Sequence, residues 1–334
     1  MPSVSIIIPC KNEAAYIENC IRSVFACEYP NELLSVYVCD GKSTDGTPKI
    51  VKELAKEYSN LHLLINEQQT APFGLNLGLR TSRADIKIIL GAHSTVHPDF
   101  IAENVTTFEL DPAIGCAGGI IINQYENEVS NIIGAAMSSP FGVGNAHFRT
   151  ASKDGYVDTV AFGAYKKEVF EKAGYFDENL TRNQDDEFNY RIHRHGYKIY
   201  LNRQIKSNYF VRASYGKLFR QYFQYGYWKV FVNKKHKMIT TLRQVVPMLF
   251  VLFLIIGLPL SFVHPLFTGF YLGILSLYFI GALIAATQQK ANPLLLIYCF
   301  LILHISYGLG YLNGILDFML LNKNPSDKAG QSSR

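Results

Sequence analysis

The amino-acid sequence predicts an α/β domain with a mostly parallel sheet, followed by interfacial helices and about three transmembrane helices. Three observations lead to this fold class. Apolar strands alternate with amphipathic helices over the first 90 residues, nearly all charge disappears between residues 245 and 315, and a basic, aromatic segment joins the two regions. Strand–helix alternation builds parallel sheets that bind ligands at the carboxyl ends of their strands.

Four strands and three helices are predicted in the first part of the chain. The strands are short apolar runs bounded by turn residues, at residues 3–9, 34–39, 62–65 and 86–90. Segments with helical spacing lie between them, at residues 13–26, 47–58 and 73–82. We expect one cytoplasmic domain over residues 1–211.

Composition limits the functional classes. The net charge is +5 with no long basic run, so no nucleic-acid partner is predicted. The six cysteines include no Cys-x-x-Cys pair. We expect them to be buried and reduced, which is typical of a cytoplasmic compartment. Nothing in the sequence predicts an oligomeric state.

Three apolar segments follow an interfacial region at residues 212–244. They lie at about 245–263, 265–286 and 293–315, before a polar tail at 321–334. A bilayer core needs roughly 20 apolar residues per helix, so all three are expected to be long enough to span, and the alternative is a buried helical domain. Lys234 and Lys235 precede them, and positive charge beside a span favours the cytoplasmic side. If the third segment lies in the interface instead, the tail stays cytoplasmic.

The end of the second strand carries a candidate ligand-binding carboxylate. Residues 38–47 read VCDGKSTDGT, so an apolar strand leads Asp40 into a glycine turn. A carboxylate there can accept hydrogen bonds from a nucleobase or a ribose. Asp45 is predicted to cap the helix that follows.

IIIPCKNE at residues 6–13, followed by VCDGKSTDGT, resembles the family 2 inverting glycosyltransferases, whose nucleotide-sugar fold is called GT-A. The resemblance covers about residues 1–235. It implies a nucleotide-sugar donor, with Pro9, Asn12 and Glu13 lining the nucleotide and Asp40 holding the base.

The fourth strand departs from this family at the position of its metal-binding Asp-x-Asp. Gly91 stands in place of the first Asp and His93 in place of the second. In the family, that pair holds Mn²⁺ or Mg²⁺ against the donor diphosphate. His93 can ligate a metal, donate a hydrogen bond to the diphosphate without one, or serve as a capping or core histidine.

The segment Gly91-Ala92-His93 resembles the corresponding segment of membrane-bound bacterial glucosyltransferases of the succinoglycan-biosynthesis type. Residues 183–191, NQDDEFNYR, continue that pattern, with Gln184 where the family has Glu. The resemblance makes Asp185 the base that activates the acceptor, and places Asp186 and Gly163 beside the sugars. The alternative is a solvated helix start with acidic residues.

The segment before the first apolar run adds further candidates. Gln224 and Trp228 resemble a Gln-x-x-Arg-Trp signature of membrane-bound polymerising relatives, with Tyr227 in place of Arg. The resemblance implies that both line the acceptor end of the cleft. The cations that are candidates to hold a diphosphate are Arg212, Arg220 and Lys229.

These expectations combine into one principal function. The chain is expected to transfer a sugar, glucose first, from a UDP-sugar to a lipid-linked glycan during exopolysaccharide or capsule assembly. Its expected location is the bacterial inner membrane, as a multi-pass protein. The alternatives are a polyprenyl-phosphate glycosyltransferase, a polymerising synthase and a non-catalytic scaffold of a glycan-assembly complex.

Overall fold

The computed structural model describes residues 1–144, 146–150, 153–211, 213–237, 239 and 242–323. The chain forms two units. The sheet unit comprises Met1–Gln124 and His147–Phe210, and the helical unit comprises Tyr125–Ala146 and the described part of Val211–Arg334. Residues 125–146 therefore belong with the C-terminal helices, although the sequence predicts a continuous domain over 1–211.

The described part of the sheet unit contains one sheet of nine strands. They are β1 Val4–Cys10, β2 Leu34–Asp40, β3 Leu61–Ile65, β4 Ile86–Ile89, β5 Ser94–Val96, β6 Ile114–Gln124, β7 Gly155–Val157, β8 Ala161–Lys166 and β9 Lys198–Phe210. Their order is β3-β2-β1-β4-β8-β6-β9-β5, and β7 pairs with β9. The first four strands pair in parallel, as the sequence predicts. β8 then runs antiparallel between β4 and β6.

Helices cover the sheet and form the C-terminal region. They are α1 Ile17–Phe25, α2 Thr47–Glu57, α3 Ala71–Thr81, α4 Phe100–Thr107, α5 Glu128–Met137, α6 Pro140–Val143, α7 His147–Thr150, α8 Lys167–Ala173, α9 Gln184–Arg194, α10 Tyr215–His236, α11 Val246–Ser261, α12 Pro265–Thr287 and α13 Pro293–Gly314. The predicted helix at 13–26 begins later, because residues 13–16 form a turn in which the carbonyl of Glu13 accepts from Tyr16 and Ile17.

β1 is apolar throughout because both of its faces are covered. Ile6 and Ile8 enter one core together with Ile21 of α1, while Ile7 enters a second core with Leu79 of α3. Successive strand side chains point to opposite faces, and burying each stabilises the fold by about 1.5–3 kcal/mol. Strands buried on both faces read as continuous apolar runs, which is the pattern in the sequence.

The cysteines confirm their prediction. All six lie buried as thiols rather than in disulfides. Burial raises the pKa of Cys20, Cys27 and Cys39 to about 12. These thiols therefore stay protonated and unreactive near neutral pH.

Two of the three predicted spans have helices long enough to cross a membrane. Among the described residues, Pro265–Thr287 and Pro293–Leu320 meet that criterion by length and composition; the second joins α13 to a π-helical turn at Ile315–Leu320. The first predicted span is shorter than expected, because α11 has 16 residues. At 1.5 Å per residue it is about 24 Å long, below the ~30 Å of a bilayer core.

Glycines bring α10 and α13 into backbone contact. A side-chain carbon at Gly226 would overlap the carbonyl of Tyr307, and one at Gly310 would overlap the carbonyl of Phe223. The two helices run side by side in the same direction. Contacts extend from the rings of Tyr215 and Tyr298, 5.3 Å apart, to hydrogen bonds that Lys234 donates to residues just beyond α13.

Residues 125–146 pack within the helical unit. α5 begins with a capping box, in which the Asn127 side chain and Ser130 exchange hydrogen bonds with each other's backbone. The Phe141 ring of α6 lies 5.1 Å from that of Phe300, and the carbonyl of Phe141 is 2.9 Å from Nε2 of His304. These contacts fix α5 and α6 to α13.

Candidate active site

The loops that follow β1 and β2 are tied together by short hydrogen bonds. Asn12 has φ of 57°, a left-handed conformation that asparagine adopts more readily than most residues. Its backbone N–H donates to Ser43 Oγ at 2.7 Å, and its Oδ1 accepts from Thr44 N–H at 2.8 Å. These bonds hold exposed Asn12 at the carboxyl end of the sheet, beside half-buried Pro9.

Asp40 ends β2 and is 1% exposed. Its carboxylate accepts hydrogen bonds from Ser43 N–H at 3.0 Å, from the Ser43 hydroxyl at 2.5 Å and from the Cys10 thiol at 3.7 Å. A carboxylate has about four acceptor sites, so these donors leave capacity for a ligand. Base recognition by Asp40 stays a prediction.

Asp45 has a structural role, but it is not the predicted N-cap: Gly46 takes that position, and Asp45 binds the start of α2 from one residue earlier. It accepts from the Thr47 hydroxyl at 2.5 Å and from the backbone of Thr47 and Ala14, each at 3.0 Å. Burial alone would raise the pKa of Asp45, but these hydrogen bonds outweigh it and lower the pKa below its usual value. Asp45 thus joins the start of α2 to the loop after β1.

His93 and Glu13 meet where β1 and β4 end. Nδ1 of His93 lies 3.8 Å from Oε1 of Glu13, whose side chain is 5% exposed. The His93 ring also meets Tyr209 edge-on, with 5.2 Å between centroids. Tyr209 is positioned there because β9 pairs with β5, which places Tyr209 opposite Ser94.

A phenyl ring closes the space where the family's first metal-binding carboxylate would begin. An ideal Cβ on Gly91 would lie 3.2 Å from Cε1 of Phe162 and 3.5 Å from Ser94 Oγ. Phe162 has φ of 48°, an unusual conformation for a bulky residue. Among the residues that the structure describes, no group of three or more His, Cys, Asp or Glu side chains can hold a metal. Glu13 and His93 alone do not fit the Mn²⁺ or Mg²⁺ that the resemblance implies.

The three acids at the start of α9 have different surroundings. Asp185 is exposed, Asp186 is half-buried and Glu187 is buried. Oδ1 of Asp185 accepts the N–H of Asp186 at 2.9 Å. Asn183, just before the helix, has φ of 58°. Asp185 is therefore the acid of this group that is most open to an acceptor.

Glu187 anchors the helix. The guanidinium of Arg191 contacts both of its carboxylate oxygens, at 2.8–3.0 Å, and donates to the carbonyl of Tyr175 at 2.7 Å. Phe188 and Ile192 are completely buried. The start of α9 is thus held by a buried ion pair and an apolar face, as the spacing of Phe188 and Ile192 predicts.

Tyr165 connects β8 to α9. Its ring lies 5.5 Å from that of Phe188. Burial raises the pKa of Tyr165 well above its usual value, and the nearby Cys116 and the charge of Asp185 raise it further. A Cβ on Gly163 would lie 2.7 Å from the Tyr165 hydroxyl oxygen. The Tyr165 side chain fills the space beside the Gly163 backbone, and a place for Gly163 beside a sugar stays a prediction.

The candidate binding residues of the helical unit differ in how far their side chains are exposed to solvent. Trp228 is buried with its ring 5.9 Å from Phe231 and 6.1 Å from Phe318, and Gln224 is also buried. Lys229 is fully buried, so its ammonium is not open to a diphosphate from solvent here. Arg220 is exposed. Arg212 lies outside the described residues.

Sequence reasoning did not select four residues that contact the segment after β4 or the Tyr209 ring beside it: Arg149, Phe162, Ser94 and Tyr209. The guanidinium carbon of Arg149 lies 5.9 Å from the centre of the Tyr209 ring. Arg149 lies in no motif, and it comes 56 positions after His93 in the chain. Only the strand pairing that brings Tyr209 beside Ser94 reveals the group.

Two solved structures share this architecture. A mannosyltransferase from Pyrobaculum calidifontis, solved with GDP-Man and Mn²⁺, has a TM-score of 0.60 and 19% identity, covering 94% of this chain and 87% of its own. TarS 1–349 of S. aureus, solved with UDP-GlcNAc, has a TM-score of 0.52 and 15% identity, covering 67% of this chain. The match spans 65% of the TarS chain, slightly less than two thirds. The likeness shows that the sheet unit has a GT-A fold.

Two relatives are similar in sequence. Dolichyl N-acetyl-alpha-D-glucosaminyl phosphate 3-beta-D-2,3-diacetamido-2,3-dideoxy-beta-D-glucuronosyltransferase of Methanococcus voltae is 34% identical over 233 residues, 68% of this chain and 72% of its own length. Succinoglycan biosynthesis protein ExoA of Rhizobium meliloti is 28% identical, covering 73% of this chain and 74% of its own. The profile of Glycosyl transferase family 2 matches residues 5–224. The fold, the strand-end carboxylates and these matches together establish that the chain belongs to glycosyl transferase family 2, as a nucleotide-sugar-dependent glycosyltransferase related to enzymes of lipid-linked saccharide and exopolysaccharide synthesis.

Proposed function

We propose that the protein is a membrane-bound inverting glycosyltransferase. It transfers a sugar, with glucose as the first candidate, from a UDP-sugar to a hydroxyl group of a lipid-linked saccharide. The observation that carries this proposal is Asp185, an exposed carboxylate at the first turn of a helix that a buried ion pair holds in place. The UDP-GlcNAc complex of TarS supports a uridine donor, and the name of ExoA supports exopolysaccharide synthesis.

In the proposed reaction, one proton is transferred, one bond forms and one bond breaks at this site. Asp185 accepts the proton of the acceptor hydroxyl while that oxygen forms a bond to the anomeric carbon. The bond from this carbon to the diphosphate oxygen breaks on the opposite face, and its electron pair leaves with UDP. The start of α9 favours the ionised form of Asp185, since the positive end of the helix dipole lies there. Asp186 supports this arrangement through its backbone N–H to Asp185.

The acceptor chemistry favours a saccharide over polyprenyl phosphate. A phosphate monoester has a second pKa of about 6 and is largely ionised at neutral pH, so it needs no base. An alcohol does need one. An exposed carboxylate at the position of Asp185 is therefore useful for a hydroxyl acceptor and unnecessary for a phosphate acceptor.

For the donor, we propose that Asp40 binds the base and that Pro9, Asn12 and Glu13 line the nucleotide. All four lie at the carboxyl ends of β1 and β2 or in the loop between β1 and α1. The solved mannosyltransferase carries Mn²⁺ with its donor, so Mn²⁺ and Mg²⁺ belong in every binding experiment. Because Glu13 and His93 do not complete a metal site, we expect little dependence on either cation.

We propose that the helical unit attaches the enzyme to the cytoplasmic face of the inner membrane. α12 is long and apolar enough to span, and the shorter apolar α11 crosses with it as a hairpin, its length matched by local thinning of the bilayer. α13 lies beside α10 along its length, and the exposed side chains of α10 include Lys217 and Arg220. This packing supports an interfacial position for α13, which keeps the C-terminal tail cytoplasmic. A reporter fused to that tail and found outside the cell would contradict the topology.

The Asp185→Asn variant tests the base. Transfer from UDP-glucose to a membrane lipid-saccharide fraction should fall by about 10²–10⁴-fold, with UDP affinity unchanged because the variant keeps the shape of the site. Glu171→Gln, at an exposed position on α8, is the matched control and should behave like the wild type. Substantial turnover by Asp185→Asn would remove Asp185 as the base. Undiminished transfer to polyprenyl phosphate would move the acceptor proposal to that alternative.

A further inference from the structure

The sheet unit places uncompensated polar groups around Tyr209, near the end of β4. The side chain of Ser94 is 1% exposed, and its hydroxyl has no hydrogen-bond partner among the described residues. Nη1 of Arg149 is also buried, with no hydrogen-bond partner in the described part of the chain. A buried polar group without a partner costs about 1–3 kcal/mol, so both groups favour a ligand that supplies acceptors.

Arg149 is held by aromatic rings. Its guanidinium carbon lies 5.3 Å from the centre of the Phe148 ring and 5.9 Å from that of Tyr209. Such cation–π contacts orient the planar group and leave its N–H donors available at the edge. Within the residues described, no carboxylate forms an ion pair with Arg149.

The same tyrosine connects Arg149 to the strand end. Tyr209 meets His93 edge-on at 5.2 Å and pairs in the sheet with Ser94. The Ser94 hydroxyl would lie 3.5 Å from a Cβ on Gly91. Arg149 and His93 thus both contact the Tyr209 ring, and Ser94 lies beside Gly91, where the family's first metal-binding carboxylate is absent.

We propose that Arg149 binds a phosphate group and supplies positive charge of the kind that a carboxylate-held metal supplies elsewhere in the family, with the Ser94 hydroxyl and His93 as further donors. The donor diphosphate is one source of this phosphate, and the phosphate of a lipid-linked acceptor is the other. The assignment rests on the proposed function. Arginine suits the task because its planar fork donates two parallel hydrogen bonds to phosphate oxygens.

In the donor case, Arg149 acts on the leaving group. As the bond between the anomeric carbon and the diphosphate oxygen breaks, the electron pair stays on that oxygen. The guanidinium then stabilises the negative charge that develops there. The acceptor proton goes to Asp185, so no proton passes through Arg149.

Inorganic pyrophosphate is the first probe, because its binding does not depend on the base or the sugar. The full chain in detergent is titrated with pyrophosphate in the presence of chelator, as wild type, Arg149→Gln, Arg149→Lys and the control Arg83→Gln, which is exposed. Arg149→Gln should weaken binding about tenfold or more, which is 1.4 kcal/mol. Arg149→Lys should keep part of the affinity, and Arg83→Gln all of it.

UDP, UMP and decaprenyl phosphate then distinguish the two sources. If Arg149 holds the donor, the wild type prefers UDP to UMP and Arg149→Gln loses that preference. If it holds the acceptor phosphate, UDP affinity is unchanged and decaprenyl phosphate affinity falls. Should Arg149→Gln fail to fold, as judged by thermal melting, Arg149→Lys and Ser94→Ala take its place, each with a partial loss of pyrophosphate binding.

The experiments can contradict the role of Arg149 and the proposed function independently of each other. A wild type that binds pyrophosphate through Arg149 but prefers another nucleotide contradicts the uridine donor alone. A wild type that binds UDP while every Arg149 and Ser94 variant keeps wild-type affinity for pyrophosphate, UDP and decaprenyl phosphate overturns the role of Arg149 alone.

Discussion

At the residue scale, Gly91 after β4 lacks the carboxylate that the family has there, and the neighbouring residue Phe162 has a strained backbone conformation. Phe162 has φ of 48°, which costs about 1–3 kcal/mol for a non-glycine residue unless the surroundings compensate. Its ring faces Gly91. The sequence reveals the loss of the carboxylate, but the replacement by an aromatic ring depends on a backbone conformation that no local pattern encodes.

Restoring the carboxylate should therefore destabilise the protein. We expect Gly91→Asp to cost about 1–3 kcal/mol, because the new side chain overpacks against Phe162. In a Phe162→Ala background the added cost should be much smaller, since the ring is gone. Thermal unfolding in detergent measures both, and Gly216→Asp, where the nearest atom to a new Cβ is 3.9 Å away, is the control. An equal cost of Gly91→Asp in both backgrounds would contradict the steric explanation.

Motifs identify some site residues and miss others for a physical reason. Asp40 ends a strand, and Glu13 and His93 come within four residues of a strand end, so a local pattern can find them. Arg149 and His93 both contact Tyr209, whose place beside Ser94 depends on the pairing of β5 with β9. The contact between Tyr165 and Gly163 could not be predicted, because the sequence does not show that the Tyr165 side chain turns back over this glycine.

At the scale of the elements, the helical unit depends on close contact between α10 and α13. The sequence predicts an interfacial helix from the aromatic and basic spacing of α10, but it gives no sign of its partner. Gly310 lies where the two backbones touch. Small residues at such positions allow close approach, which is a common basis of helix association in membranes.

Gly310→Ala should weaken this contact. The added carbon would overlap the carbonyl of Phe223, so we expect a loss of about 1–3 kcal/mol through overpacking. Gly273→Ala on α12 is the matched control, because nothing lies within 4 Å of its new carbon. Thermal unfolding of the full chain in detergent compares them. Equal stability of the two variants would show that α10 and α13 do not need the glycine.

The boundaries of the helices and strands were predicted well where the sequence carries a local signal and poorly where it does not. The first four strands were predicted nearly to the residue, because each is a short, mainly apolar run bounded by turn residues. The first apolar run was predicted as a 19-residue span, but α11 ends at Ser261, two residues after Pro259. A proline inside a helix weakens it, and a prediction based on apolar composition alone does not include this effect.

At the scale of the whole molecule, the chain combines a GT-A sheet unit with a helical unit that also takes in residues 125–146. The alternation of strands and helices predicted the first unit. The assignment of residues 125–146 to the second unit was not predicted. No motif in the sequence marks where α5 and α6 pack, and only contacts such as that between Phe141 and Phe300 show it.

Nucleotide binding tests the central claim most directly. Detergent-purified protein would be titrated with UDP, GDP and CMP, each with Mn²⁺, with Mg²⁺ and with chelator. The account predicts selective binding of UDP that chelator leaves largely intact, because protein cations and donors replace the carboxylate-held metal. Preference for GDP or CMP, or UDP binding that disappears with chelator, would contradict it.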